Sequence, residues 1–187
     1  MARRIVILHG TGGTADGNWF PWLKQKLEEA GATCIVPDLP PPERQSLGSW
    51  RRAYHRQIKD GLTEQDILIG HSAGALLALR LLEQWQRPIS TCYLICPFTR
   101  DLGLDFDYYN GTFYDEPFNW AHIKRAAQQF KIYAGTDDPY VKTGYVKEVA
   151  RKLEVPVSWI ESGGHLNSDS GYTEFPQLLA DIKATIS

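Results

Sequence analysis

Short apolar runs punctuate the chain at residues 5–8, 33–36, 67–69, 91–95, 130–133 and 157–160, and most of the stretches between them carry apolar residues at helical spacing. The runs are continuous in their apolarity rather than alternating, the pattern of strands buried on both faces. Such strands alternating with helices predict a three-layer α/β fold, a mainly parallel sheet of about six strands with helices on both faces. Asn18 suits a helix N-cap and Pro21 a first turn, and Trp19, Trp22, Leu23 and Leu27 keep one apolar face until Gly31. Further helices are expected over 47–59, 73–85, 120–127, 143–153 and 173–186. Between Pro97 and Trp120 the rhythm breaks. This segment holds Phe98, Phe106, Tyr108, Tyr109, Phe113, Tyr114 and Phe118 among several aspartates, too aromatic for a disordered linker, so a structured excursion over the sheet is expected.

One junction between a strand and a helix carries chemistry. The run 67–69 leads into Gly70-His71-Ser72-Ala73-Gly74 and then into the helical Leu76-Leu77-Ala78-Leu79. A serine on so sharp a turn adopts a strained backbone, and glycines two residues to either side let strand and helix approach closely while the hydroxyl projects outward. The helix N-terminus also sets backbone N–H groups beside any charge that develops there.

A serine hydroxyl is a poor nucleophile until a base takes its proton, so a carboxylate and a histidine should follow at the ends of later strands. Both occur in the chain order Ser, Asp, His: Asp137-Asp138-Pro139 follows the run 130–133, and Gly163-Gly164-His165 follows the run 157–160. Ser72 is thus the candidate nucleophile and His165 the candidate base. Of the two aspartates, Asp138 is favoured, because the residue before a proline is held extended. Asp137 is the alternative, with turn capping as its default role. His71, His55 and His122 are expected to be packing residues.

The first strand ends in His9-Gly10-Thr11-Gly12-Gly13, which admits two readings. In a hydrolase it supplies an oxyanion-hole amide from Thr11, beside that of Ala73. Alternatively, residues 10–15 fit G-x-G-x-x-A, with Asp38 as a ribose-binding acid. That second reading needs a helix opening within the glycines, whereas Asp16, Gly17, Asn18 and Pro21 delay it to about residue 19.

The 187 residues, with 43% hydrophobic content, suffice for one core and a single domain over 1–187. A formal charge of −2, with both signs scattered, leaves no footprint for nucleic acid or an anionic membrane and favours a small-molecule partner. The run 5–8 is too short for a signal h-region or a membrane span, so a cytoplasmic protein is expected. Cys34, Cys92 and Cys96 are odd in number. Cys92 and Cys96 fall on one apparent strand roughly 13 Å apart, too far to bridge or to share a metal, and all three are expected to be buried thiols.

Taken together, residues 9–13 with Asn18-Trp19-Phe20-Pro21-Trp22-Leu23, residues 70–74, Asp138-Pro139-Tyr140-Val141 and Gly164-His165-Leu166-Asn167 resemble the small serine hydrolases related to retinoblastoma-binding protein 9 and its bacterial YdeN-like relatives. The resemblance implies a compact α/β-hydrolase fold without a large lid. It also implies a triad at the matching positions Ser72, Asp138 and His165. Its mammalian member's L-x-C-x-E segment has no counterpart, since Leu94-Ile95-Cys96-Pro97-Phe98 lacks the glutamate, so that partner is not carried over. The expected activity is acyl transfer on a small carboxylester, needing no cofactor or metal. Peptidase or thioesterase activity, and a weakly catalytic protein-binding module on the same scaffold, are the alternatives.

Overall fold

The computed structural model describes residues 3–186. Six strands, β1 (Arg4–Leu8), β2 (Thr33–Ile35), β3 (Ile67–His71), β4 (Ile89–Ile95), β5 (Ala127–Gly135) and β6 (Val157–Ile160), pair in the order β2-β1-β3-β4-β5-β6. Every pairing is parallel. Ile5 sits between Cys34 and Ile67, and Val6 between Ile35 and Leu68, so β1 and β3 form the middle of the core and are buried throughout apart from Arg4. Their continuous apolarity follows from helices on both faces.

The helices are α1 (Phe20–Glu29), α2 (Leu47–Gln57), α3 (Ala73–Leu82), the single turns α4 (Asp107–Asn110) and α5 (Trp120–Ile123), then α6 (Thr143–Leu153) and α7 (Pro176–Ile186). One layer is made where α1 packs on α7, the other where α2 and α5 pack on α3. All ten residues of α3 are buried, so this apolar helix is the one pressed between sheet and neighbours. None of the described helices is long and apolar enough to cross a membrane.

The sequence expectations need correction at several places. Asn18 does not cap α1: its φ is 52°, the cap position is Trp19, and the Asn18 carboxamide oxygen accepts from the Ser168 amide at 3.0 Å. The helix expected over 120–127 stops at Ile123, and Ala127 already opens β5. Pairing with β4 overrides helical spacing here, beginning where the Ile89 amide donates to the Ala126 carbonyl at 2.9 Å. The last helix starts at Pro176 rather than residue 173, because a proline disfavours helical geometry in the residue before it and fits the first helical position itself. Cys96 lies one residue past β4 at φ 50°, so it does not share a strand face with Cys92. All three cysteines are free and buried, as expected.

The excursion between β4 and β5 is ordered by its own polar contacts. The Asp107 carboxylate accepts from the amides of Leu102 (3.0 Å) and Leu104 (2.7 Å) and from the Tyr114 hydroxyl (3.1 Å). Burial would raise this carboxyl, but those donors outweigh it and hold it below its ordinary value. From α3, the buried Arg80 guanidinium reaches across to donate to the carbonyls of Phe113 (2.7 Å) and Glu116, stacks 3.7 Å over Phe118 and pairs with Glu83 at 2.7 Å.

Candidate active site

Ser72 occupies the turn from β3 into α3 with φ 56° and ψ −122°, a conformation that costs a side-chain-bearing residue about 1–3 kcal/mol. Surrounding geometry imposes it. The Ser72 amide donates to the Ile95 carbonyl at 2.9 Å, and the Ser72 carbonyl accepts from Ala75 at 2.8 Å. The flanking glycines are steric requirements: a Cβ on Gly70 would meet the Gly74 carbonyl oxygen at 2.5 Å, and one on Gly74 would meet that of Leu8 at 2.1 Å. Gly10 lies close as well, since a Cβ there would meet Ser72 Cβ at 2.9 Å and its Oγ at 3.4 Å.

This corner is where the strand order reverses. The chain leaves β1 to form β2 on one side and returns to form β3 on the other, which opens a crevice at the carboxyl ends of β1 and β3. A cavity of about 370 Å³ occupies it, bordered by Thr11, Ser72 and His165. One wall is apolar, made by Phe98, Leu102, Phe106, Tyr140 and Val141.

His165 Nδ1 lies 2.7 Å from Asp138 Oδ2, with both side chains buried. The ionised carboxylate only accepts, so Nδ1 carries the proton and Nε2 keeps its lone pair. The second oxygen, Asp138 Oδ1, accepts from the amides of Tyr140 (2.8 Å) and Val141 (3.0 Å). Burial alone would raise the Asp138 carboxyl, yet the His165 ring and these two amides outweigh it and hold it below the usual aspartate range. Asp137 turns elsewhere, accepting from the Gly164 amide at 2.8 Å and so bracing the His165 loop. Ser72 borders the same cavity as His165, but among the described residues no hydrogen bond joins its Oγ to the ring. Such contacts often tighten only with substrate in place.

For the two amides expected to form an oxyanion hole, Thr11 borders the cavity and Ala73 directly follows Ser72 as the first residue of α3. Neither amide is used in the turn bonds of its loop, where Gly13 donates to Gly10 and Ala75 to Ser72. The glycine loop does not open a helix, because α1 begins only at Phe20, so the geometry of a dinucleotide fingerprint is missing.

Three buried imidazoles meet here, and His71 is more than packing. Its Nε2 donates to the His165 carbonyl at 2.9 Å, and its ring lies 4.9 Å from that of His165. Burial, reinforced by His165, lowers its pKa to about 3, so it stays neutral. Among the described residues, Nδ1 of His71 has no hydrogen-bond partner. His9 is fixed too: Nδ1 donates to the Gly10 carbonyl at 2.9 Å, and Nε2 accepts from the Leu39 amide at 3.2 Å.

Ligating atoms of His71, Cys96 and His165 lie within 4.8 Å of one another. The donor set suits a metal poorly. Cys96 would have to be a thiolate, but burial and the adjacent Asp138 charge hold its thiol well above the ordinary range, and His165 Nδ1 is committed to Asp138.

Several residues at the site carry no motif of their own. Trp19 Nε1 donates to the Leu166 carbonyl at 2.9 Å and Asn18 receives Ser168, so the Asn18-Trp19 and Gly164–Asn167 segments that stood out in the sequence are in contact with each other. Gln45 and Asn110 reach Thr11, and no spacing in the sequence signals them.

The serine hydrolase family model matches residues 5–184. The chain is 28% identical over 187 residues to the serine hydrolase RBBP9 of Rattus norvegicus, covering 98% of this chain and 96% of that one. It is 27% identical over 182 residues to the putative hydrolase YdeN of Bacillus subtilis strain 168, covering 94% and 92%. The crystal structure of the B. subtilis ydeN gene product superposes with a TM-score of 0.91 at 25% identity, over 98% of each chain. A structure reported with carboxylesterases of Nitrososphaera gargenis, at TM-score 0.75 and 15% identity over 99% of this chain and 91% of that one, shares the fold. With a strained serine elbow, a histidine bonded to a buried carboxylate and a family match over nearly its whole length, this chain belongs to the serine hydrolase family.

Proposed function

We infer that the chain hydrolyses a small carboxylester through an acyl-enzyme on Ser72. The observation that carries this reading is the 2.7 Å bond from His165 Nδ1 to Asp138 Oδ2 beside a serine held at φ 56°. Ser72 Oγ attacks the ester carbonyl carbon while His165 Nε2 takes its proton, and the amides of Thr11 and Ala73 receive the oxyanion. The C–O bond to the leaving alcohol then breaks, and the imidazolium returns its proton to that alcohol. Water repeats the sequence on the acyl-enzyme and frees Ser72. Asp138 orients the imidazole throughout. The wall of Phe98, Leu102, Phe106 and Tyr140 favours an apolar or aromatic acyl group, and about 370 Å³ limits its size. Three buried thiols suit a reducing compartment, and a cytoplasmic setting belongs to the same reading.

A fluorophosphonate probe tests this directly, because it reacts with an activated serine. The wild-type protein should be labelled and should hydrolyse p-nitrophenyl acetate, while Ser72→Ala should lose labelling and roughly 10³ to 10⁶ of the rate with its fold intact. Hydrolysis by Ser72→Ala near the wild-type rate would refute the assignment. Rates on matched oxygen esters, thioesters and anilides then rank ester against thioester and peptide-like substrates.

A further inference from the structure

The loop that carries Thr11 is poorly constrained by its own backbone. It reads Gly10-Thr11-Gly12-Gly13, its one internal turn bond runs from the Gly13 amide to the Gly10 carbonyl at 3.0 Å, and Gly12 has φ 70° with open space around it. Glycine has the largest backbone freedom to lose. An amide that must be in place before charge develops cannot depend on such a segment alone, since preorganisation is what makes an oxyanion hole effective.

The missing constraint comes from the single side chain in the loop. Thr11 Oγ1 donates to Asn110 Oδ1 at 2.9 Å and accepts from Gln45 Nε2 at 2.9 Å, and the same Gln45 nitrogen donates to Asn110 Oδ1 at 2.7 Å. Turning the Gln45 amide over alone would set its oxygen against the Asn110 oxygen, whereas turning both carboxamides over closes the triangle in the opposite sense, and in either sense Thr11 Oγ1 is bonded to both side chains. Gln45 and Asn110 are both buried, and among the described residues Gln45 Oε1 has no hydrogen-bond partner. A core selected for packing alone would shed such an unpaired acceptor. Gln45 follows the turn Pro42–Arg44 after β2, and Asn110 ends α4 in the excursion, where it also borders the cavity.

We propose that Gln45 and Asn110 are positioning residues of the hydrolytic site, clamping the Thr11 side chain so that its backbone N–H is held toward the Ser72 corner, and that the excursion between β4 and β5 is thereby part of the catalytic apparatus. This rests on the reading of Ser72 as nucleophile.

The test is a double-mutant cycle on the purified, full-length protein with p-nitrophenyl acetate. Thr11→Val keeps the shape and the backbone amide but removes the hydroxyl, so kcat should fall about 10- to 100-fold while KM stays within about twofold, less than the ~10²–10³ of deleting an oxyanion donor outright. Thr11→Ser restores the hydroxyl and should recover most of the rate. Asn110→Ala should cause a similar loss, and the double variant Thr11→Val with Asn110→Ala should be little worse than either alone. Thr11 is only partly buried, so its variants keep the test decisive should Asn110→Ala fold poorly on circular dichroism. Unchanged kcat in Thr11→Val, a loss confined to KM, no recovery in Thr11→Ser, or losses that multiply in the double variant would each overturn the clamp. Absence of fluorophosphonate labelling in the wild-type protein would instead overturn the nucleophile assignment, which keeps the two failures distinct.

Discussion

At the scale of single residues, two adjacent aspartates do different work because a strand end turns their carboxylates apart. Asp138 accepts three hydrogen bonds, from the His165 ring and from the amides of Tyr140 and Val141, while Asp137 accepts from the Gly164 amide. Asp138→Asn keeps the volume but offers a donor that favours the wrong imidazole tautomer, so kcat/KM is expected to fall by about 10⁴. Asp137→Asn keeps an acceptor for the Gly164 amide and loses only the charge, so it should cost at most about tenfold, or ~1 kcal/mol. Measuring both on one ester decides the matter, and a larger loss at Asp137 would reverse the roles. His71 gives a prediction about pH. Its folded pKa is depressed to about 3, whereas the unfolded chain takes up the proton near 6.5. The unfolded state therefore binds more protons below pH ~6.5, and stability should be greatest above that point and decline with falling pH until about 3. His71→Gln removes this titration, so its urea midpoint should fall less steeply than that of wild type between pH 7 and 4. Parallel pH profiles would show that His71 does not contribute.

Among the elements, the excursion depends on α3. Arg80 is buried and binds two carbonyls, a carboxylate and an aromatic face at once, which ties residues 113–118 to the helix that begins directly after Ser72. Arg80→Ala would leave Glu83 and the carbonyls of Phe113 and Glu116 without their cation, and loss of one partner of a buried pair typically costs about 3–5 kcal/mol. The thermal midpoint should drop, and limited proteolysis should nick the 97–119 segment before the sheet is attacked. A variant that resists protease as well as wild type would show that Phe98 and Phe113 hold the excursion by apolar packing alone. The 120–127 stretch teaches the same lesson about elements. Its helical spacing predicts two turns, but edge-to-edge pairing with β4 takes over before the second is complete.

On the scale of the whole molecule, the reversal of strand order beside β1 decides where chemistry can occur. Loops after β1 and β3 diverge at their carboxyl ends, so the glycine loop and the serine elbow face each other across one crevice. The loops after β5 and β6 bring Asp138 and His165 to the same end of the sheet because all six strands are parallel.

Much of this was legible in the sequence, and for a local reason. Parallel strands buried on both faces must be continuously apolar, so β1, β3 and β4 announce themselves without knowledge of their partners, while the edge strands β2 and β6 are only partly buried and show the pattern less purely. The elbow needs Gly70 and Gly74 at fixed offsets of two residues to either side of Ser72 because the clashes they avoid lie within that turn and against the neighbouring strand. The order Ser72, Asp138, His165 follows from strands succeeding one another along the chain. Other features depend on distant partners and left no trace in local spacing. Gln45 and Asn110 are separated by 65 positions yet share a 2.7 Å bond, and His71 meets the loop of His165 across 94. The true work of Asn18 as an acceptor for Ser168, the early start of β5 and the ordering of the excursion by Arg80 belong to the same class. A side-chain hydrogen bond is specified by two residues and a direction in space, and only the packed sheet and helices decide which residues meet and at what angle.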